Sequence, residues 1–590
     1  MTTPLRVTDV LDRTVIANAE RPAYRVKKNG TWETTTWQQY REQVRRAARG
    51  FTALGLEPGG YVTIIGANCP EWFVADIGAI AAGGIPAGIY ATNTAEQCQY
   101  IAKHCDAQIA VVENAEQLAK FRAIRTQLPN LRAIVQMHGT PDGNDAKSWQ
   151  QMLDAGNAVT DAQLDARIAA QKPDDVCTLI YTSGTTGAPK AVMISHDNIT
   201  WTAQMAGGAI NMGASDELIS YLPLSHIAEQ IVGLHGPMAF GATSWFAESM
   251  DKLGETLREA RPTIFLGVPR VWEKIQEKME AAGANNPPVK KKIVRWARGK
   301  GLAGGYAHQR KEGPPSFYGL ANKLVFSKVR TQLGLDRARM LVTSAAPIGK
   351  PTLEFFLSLG LPICEVYGMS ECTGPATMSL PDKLRTGKAG FCPPGAELRI
   401  AEDGEICMRG RHVFKGYYKD AASTAETLDA QGWLHSGDIG EVDADGFLQI
   451  TDRKKDLIIT AGGENVAPQY VEGQLKSIPV VSQAVVVGDR RRYLSVLLTL
   501  DPAKIASASA LCGSTARDPA SAASDEKFRA YLQKEIDAVN QRLARVQTVK
   551  KFDIIPRELT EESGELTPTM KIKRKVVNQK FASMIESLYK

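Results

Sequence analysis

An α/β architecture in more than one lobe is predicted, on three observations. Apolar runs short enough to be strands alternate with helical periodicities near the N-terminus and again after residue 250. The chain has 590 residues, too many for a single hydrophobic core. A loop of glycine and hydroxyl residues, Thr182 to Gly187, follows an apolar run and is itself followed by Lys190.

In chain order, WQQYREQVRRAARGFTALGL (Trp37 to Leu56) carries apolar residues at helical spacing and ends near glycine. YVTIIGA reads as a strand, EWFVADIGAIAAG as a helix, IPAGIY as a strand, CQYIAKHC as a helix and AQIAVVE as a strand. Such alternation implies parallel pairing. After residue 250, LGETLREARP, TIFLGVP and VWEKIQEKMEAAG repeat it, whereas DGEICMRG and DGFLQITDR read as antiparallel hairpin strands. Ala506 to Asp525, rich in Ser and Ala, reads as a loose surface connection.

Composition narrows the function. A net charge of +6, from 70 basic and 64 acidic residues, gives no reason to propose a nucleic-acid partner. The nine cysteines are scattered without a CxxC pair, which suits a reducing compartment. The N-terminus lacks a signal-peptide h-region, and no apolar run is long enough to span a bilayer. A cytoplasmic protein is expected, soluble or peripheral on the inner face of a membrane. Lys290 to Lys300 holds six basic residues and no acid; as a helix it would set Val289, Ile293 and Trp296 on one face. That pattern fits a solvated face or a surface resting on anionic lipid.

The loop Thr182, Ser183, Gly184, Thr185, Thr186, Gly187 with Lys190 has the composition of a phosphate cradle: glycines admit close backbone approach, hydroxyls donate, and lysine adds charge. It is not a Walker A loop, because Pro189 and Ala191 stand where that motif needs Gly and Ser/Thr.

Downstream come PLSHIAE (Pro223 to Glu229), VYGMSECTG (Val366 to Gly374), GWLHSGDIG (Gly432 to Gly440), TDRKKDLIITAGGENVAP (Thr451 to Pro468) and ELTPTMKIKRK (Glu565 to Lys575). In this order, and over nearly the whole chain, these stretches resemble the adenylate-forming superfamily of acyl-CoA synthetases, luciferases and peptide-synthetase adenylation domains. The stretch from Gly432 to Pro468 looks most like long-chain fatty acyl-CoA synthetases, the bubblegum-type branch among them.

The resemblance implies a large N-terminal lobe of mixed and parallel sheets with a β-barrel-like part (1–451). It implies a hinge (452–457, with Asp452 and Lys455) and a small mobile α+β C-terminal domain (458–590). The activity implied is fatty acid–CoA ligation: a carboxylate attacks ATP to give acyl-AMP and pyrophosphate, then coenzyme A takes the acyl group and AMP leaves. By resemblance the Thr182–Lys190 loop holds phosphates, and Thr182 and Glu371 contact Mg2+. Tyr367 stacks on adenine, with Gly368, Met369 and Ser370 along the nucleotide. Asp438 takes the ribose hydroxyls, and Arg453 contacts ribose or phosphate. Lys571 is the catalytic lysine, although Met570 stands where the family usually has glycine. His226 is either a hydrogen-bonded core residue or a support beside the acyl carboxylate. Gly462, Gly463 and Glu464 lie in a loop on the coenzyme A side. Ala345, in TSAAPIG, replaces a glycine frequent in relatives. Candidate walls of an acyl tunnel are His226 to Gly241 and Pro269 to Lys274, the second of which reads more readily as part of a helix core. Alternatives are a fatty acyl-AMP ligase serving a carrier protein, a medium-chain or aryl synthetase, and a non-catalytic nucleotide-binding scaffold at a membrane surface.

Overall fold

The computed structural model describes residues 3–182, 188–461, 464–567 and 571–590. Its largest sheet has seven strands, in the order Lys147–Ser148, Ala133–Gln136, Ala107–Val112, Tyr61–Ile65, Ile85–Ile89, Val176–Thr182, Lys190–Ser195. All neighbours are parallel except the last pair, an antiparallel hairpin. The inner strands bury both faces, which is why they read as unbroken apolar runs. Helix Trp37–Ala53 packs on helix Pro70–Ala81 and buries Trp37, Tyr40, Val44, Ala47, Ala48 and Phe51 in the same core as this sheet. It begins with a capping box in which Thr36 and Gln39 exchange side chain-to-backbone bonds.

A second sheet (Ile264–Gly267, Met340–Thr343, Ile363–Met369, Gly374–Met378) is parallel until its last strand turns back. A third combines Glu217–Ser220 and Thr243–Phe246 with the N-terminal hairpin Pro22–Lys28 and Thr31–Thr36. The barrel-like part is a four-stranded antiparallel meander, Ala396–Ile400, Glu405–Gly410, Leu434–Val442 and Leu448–Arg453. Beyond it a separate core forms around Val481–Val487, Leu494–Leu500 and Val549–Ile554.

Polar groups join this C-terminal lobe to the rest at several points. The Thr92 hydroxyl donates to Glu561 at 2.8 Å, and Lys476 and Lys504 pair with Glu273 and Glu277 at 3.5 and 3.7 Å.

One expectation is corrected. Much of Ala506 to Asp525 is helical, in Pro502–Cys512 and Pro519–Ser524. Asp501 and Asp518 cap the two helices, each with proline at the first helical position, and Ala508, Ser509, Ala516 and Ala522 are buried. Lys290 to Lys300 lies in helix Pro288–Gln309, with Val289, Ile293 and Trp296 exposed.

Candidate active site

A cavity of about 1280 Å³ opens between the two lobes. His226, Glu371, Asp438, Arg453 and Lys571, separated by up to 345 residues in sequence, all line it.

Thr182 and Lys190 face each other across the hairpin at the sheet edge. Ser183, Gly184, Thr185, Thr186 and Gly187 lie outside the described residues. Lys190 Nζ donates to Ser423 Oγ at 2.7 Å and stands 4.8 Å over the Tyr417 ring. The Tyr417 hydroxyl donates to Glu371 Oε1 at 2.7 Å. Glu371 sits in the short 3-10 turn Ser370–Cys372 that ends strand Ile363–Met369, and is buried. One carboxylate oxygen is thus oriented by Tyr417. Gly368, on the same strand, is required by close packing: a Cβ there would come within 1.8 Å of the Gly374 carbonyl oxygen. Gly368, Met369 and Ser370 all line the cavity.

Tyr367 turns its ring into the interior, 9% exposed, and its hydroxyl donates to Asp438 Oδ2 at 2.7 Å. Burial, then the charge of Asp438, raises this phenol well above its usual range, so it stays a donor. Asp438 also faces Arg453 across the strand ladder, with Arg453 Nε at 3.3 Å from Oδ1. What Tyr367 offers the cleft in this structure is a fixed carboxylate rather than an open ring face.

Lys571 enters from the C-terminal lobe. Its backbone N–H donates to Thr567 Oγ1 at 3.0 Å and its carbonyl accepts from the Thr567 N–H at 2.8 Å. Burial first, then the positive charge of Arg453, pushes its ammonium down to about 8, against the opposing pull of Asp438 and Glu371. His226 is held near 4 by burial and by Lys571, so it is neutral. Its Nδ1 accepts the Ala228 N–H at 3.1 Å, which leaves the ring proton on Nε2. His226 therefore both caps a helical turn and presents a donor at the cavity wall.

The apolar end of the cavity includes Ile210, Met212, Leu218, Ile231, Val232 and Met340. Of the two candidate tunnel stretches, the first lends His226, Ile231 and Val232 to the cavity, whereas the second lends Pro269, Arg270 and Glu273 and buries Val271 and Trp272 in the core. Ala345 lines the same space with φ of 74°, a left-handed conformation that glycine adopts without strain.

In the expected hinge, Asp452 is buried and accepts the Arg453 and Gln469 N–H groups at 2.6 and 3.1 Å. It thereby ties the end of the meander to helix Pro468–Leu475. Burial lifts its carboxyl to about 6. Lys455 is exposed at the cavity rim. Glu464 is exposed, its carbonyl accepts the Thr460 N–H at 3.0 Å, and it is not among the cavity-lining residues. Gly462 and Gly463 lie outside the described residues. Tyr417 and Ser423 had no motif to single them out; only their positions in space reveal them.

The arrangement gathers cations and carboxylates at one end of a cavity whose other end is apolar. The family description "AMP-binding enzyme" matches residues 11–418, and "AMP-binding enzyme C-terminal domain" matches residues 455–590. The chain belongs to this adenylate-forming family. Within it, the relatives are of the bubblegum branch. The chain is 44% identical to the long-chain-fatty-acid–CoA ligase ACSBG2 of Xenopus laevis, over 99% of this chain and 84% of that protein. It is 40% identical to ACSBG2 of Homo sapiens, over 100% and 93%. The fold is similar to that of the anthranilate–CoA ligase AuaEII in complex with anthranoyl-AMP, with a TM-score of 0.74, 20% identity and coverage of 100% and 99%. It is also similar to ATP-bound MatB from Rhodopseudomonas palustris, with a TM-score of 0.73, 20% identity and coverage of 98% and 100%.

Proposed function

We propose that this chain is a long-chain fatty acid–CoA ligase that forms acyl-AMP from ATP and a fatty carboxylate, then transfers the acyl group to coenzyme A. The observation that carries the reading is the convergence of Lys571, His226 and Glu371 on one cavity whose far end is apolar. The first step joins two anions, so it needs positive charge placed where negative charge develops. Lys571 supplies it between the carboxylate and the α-phosphate; His226, neutral and with its proton on Nε2, donates to the acyl carboxylate. Asp438 takes the ribose hydroxyls, fixed by Tyr367, and Arg453 lies beside it. Thr182 and Lys190 stand at the base of the phosphate loop.

Glu371 fits a hard cation: it is a carboxylate with one oxygen oriented by Tyr417. With Thr182 it would hold Mg2+, which when bound neutralises phosphate charge. Residues 452–457 serve as a hinge about which the 458–590 domain turns after adenylation, with Asp452 and Lys455 at the pivot. The loop bearing Gly462, Gly463 and Glu464 acts on the coenzyme A side in the second pose.

Protein location follows the same chemistry. All nine cysteines are free, which supports a reducing, cytoplasmic setting. Val289, Ile293 and Trp296 are 72%, 42% and 36% exposed on a helix carrying six basic residues, and this face rests on the anionic inner face of a membrane. No helix among the described residues is long and apolar enough to cross one. Replacing Lys290, Lys291 and Lys292 by glutamine is expected to weaken binding to anionic vesicles; unchanged binding overturns the docking face.

The test of the activity is acid-dependent AMP release with palmitate, octanoate or benzoate, with and without coenzyme A, alongside Lys571→Ala. Release and thioester formation that require coenzyme A, prefer palmitate and collapse in the variant are expected. Acyl-AMP accumulating regardless of coenzyme A would instead mark an acyl-AMP ligase with a carrier-protein acceptor. No turnover with any acid would leave a binding protein.

A further inference from the structure

The meander carries a cluster of Lewis bases for which the activity has no use. Cys407 and His435 are direct cross-strand partners, and Glu405 lies two residues before Cys407, across a register shift in the pairing. His435 Nδ1 stands 3.5 Å from Cys407 Sγ and 3.3 Å from Glu405 Oε2, and the three donor atoms all lie within 4.8 Å of one another. A single nitrogen with at most one proton cannot bond both neighbours well. A metal at the centre of the three satisfies all of them.

The spacing fits zinc. Around a tetrahedral ion with sulfur at ~2.3 Å and nitrogen or oxygen at ~2.0 Å, adjacent donors stand ~3.5 Å (S···N) and ~3.3 Å (N···O) apart. The other ring nitrogen, Nε2, faces Asp429 Oδ2 at 3.5 Å, the arrangement by which a carboxylate orients a ligating histidine. Cys407 and Glu405 are buried while His435 is partly exposed, and Glu405, Asp429 and His435 line the large cavity, which gives an ion a route in.

Two cations compete for this position. Lys454 Nζ lies 3.0 Å from Glu405 Oε2 and 2.6 Å from Asp403 Oδ2, and the Arg399 guanidinium stands beside the thiol. Lys454 is 45% exposed and keeps Asp403 when it leaves Glu405.

We propose that Glu405, Cys407 and His435 form a binding site for a borderline-soft divalent metal such as Zn2+, in competition with Lys454. Occupancy releases Lys454 from Glu405, two residues after Asp452 and on the strand side of Asp438. The metal therefore loosens the contact between residues 452–457 and the meander.

The test is titration of the chelator-stripped full-length chain with cobalt(II), read by the thiolate-to-metal charge-transfer band and the visible bands of a four-coordinate ion. One equivalent is expected to bind with both signatures. Cys407→Ser is expected to abolish the charge-transfer band, and His435→Ala to weaken binding at least about tenfold. Lys454→Met, at an exposed position, is expected to tighten it, and Cys69→Ser to change nothing. Absence of a charge-transfer band in the intact chain, its survival in Cys407→Ser, or weaker binding by Lys454→Met would each overturn the proposal.

Discussion

If Lys571 acts as a charged group, its depressed pKa sets the alkaline limit of adenylation. The ammonium is held at about 8 by burial and by Arg453, against Asp438 and Glu371. Lysine is active when protonated, so the rate is full below that value and is lost as pH rises through it. One pH unit above it, about a tenth of the enzyme carries the charge, and each further unit costs about tenfold more. The assay is fatty-acid-dependent ATP–pyrophosphate exchange without coenzyme A, so that no thiol titrates in the range. A profile of kcat/KM for ATP reports the free enzyme and is expected to bend near pH 8. The limb for kcat should lie higher, since bound phosphates favour the ammonium. Lys571→Arg, whose charge does not titrate, should remove the bend while retaining part of the rate. Arg453→Gln should move it upward, because the second cause of the depression is gone. A profile that stays flat well above pH 8, or a bend indifferent to both variants, would refute the assignment of the titrating group to Lys571.

Three further outcomes are expected. Tyr417→Phe removes the donor that orients Glu371 and should lower adenylation about tenfold, the worth of a hydrogen bond to a charged group, with partial rescue by raised Mg2+. Asp76 is fully buried, neither carboxylate oxygen has a hydrogen-bond partner among the described residues, and burial lifts its pKa to about 8. The folded state therefore keeps a proton that the unfolded chain releases, and stability falls as pH rises from about 4 to about 8, by up to about 4 kcal/mol at pH 7. Melting temperatures of Asp76→Asn minus wild type should grow across that window; a constant difference would show that Asp76 does not titrate there. Ala206→Phe, placed in the cavity wall, should shift preference from palmitate toward octanoate, and an unchanged chain-length series would remove Ala206 from the acyl path.

The parallel strands were legible because burial on both faces writes them as continuous apolar runs, as in Ile85–Ile89 and Ala107–Val112. The site was legible through motif order, since Lys571 among the charges of its own segment has nothing local to distinguish it. Tyr417 was not legible. It meets Glu371 only through the fold, 46 residues away, and a tyrosine before another tyrosine in KGYYKD carries no signal. The Ser/Ala segment was misread because its composition resembles a linker. Alanine is also the strongest helix former, and the Asp-Pro pairs at 501–502 and 518–519 were the start signals overlooked.

The polar contacts described between the C-terminal lobe and the rest of the chain are individually weak. Pairs such as Lys476–Glu273 and Lys504–Glu277 are partly open to water and worth about 1 kcal/mol or less each. Together they favour this pose by a factor of only about ten to thirty. If residues 458–590 turn about the hinge as proposed, so light a fastening opposes the turn only weakly, even before any product forms. On that proposal, bound ATP more than the protein's own contacts would decide when the lysine is in place, and raised salt should weaken the closed pose further.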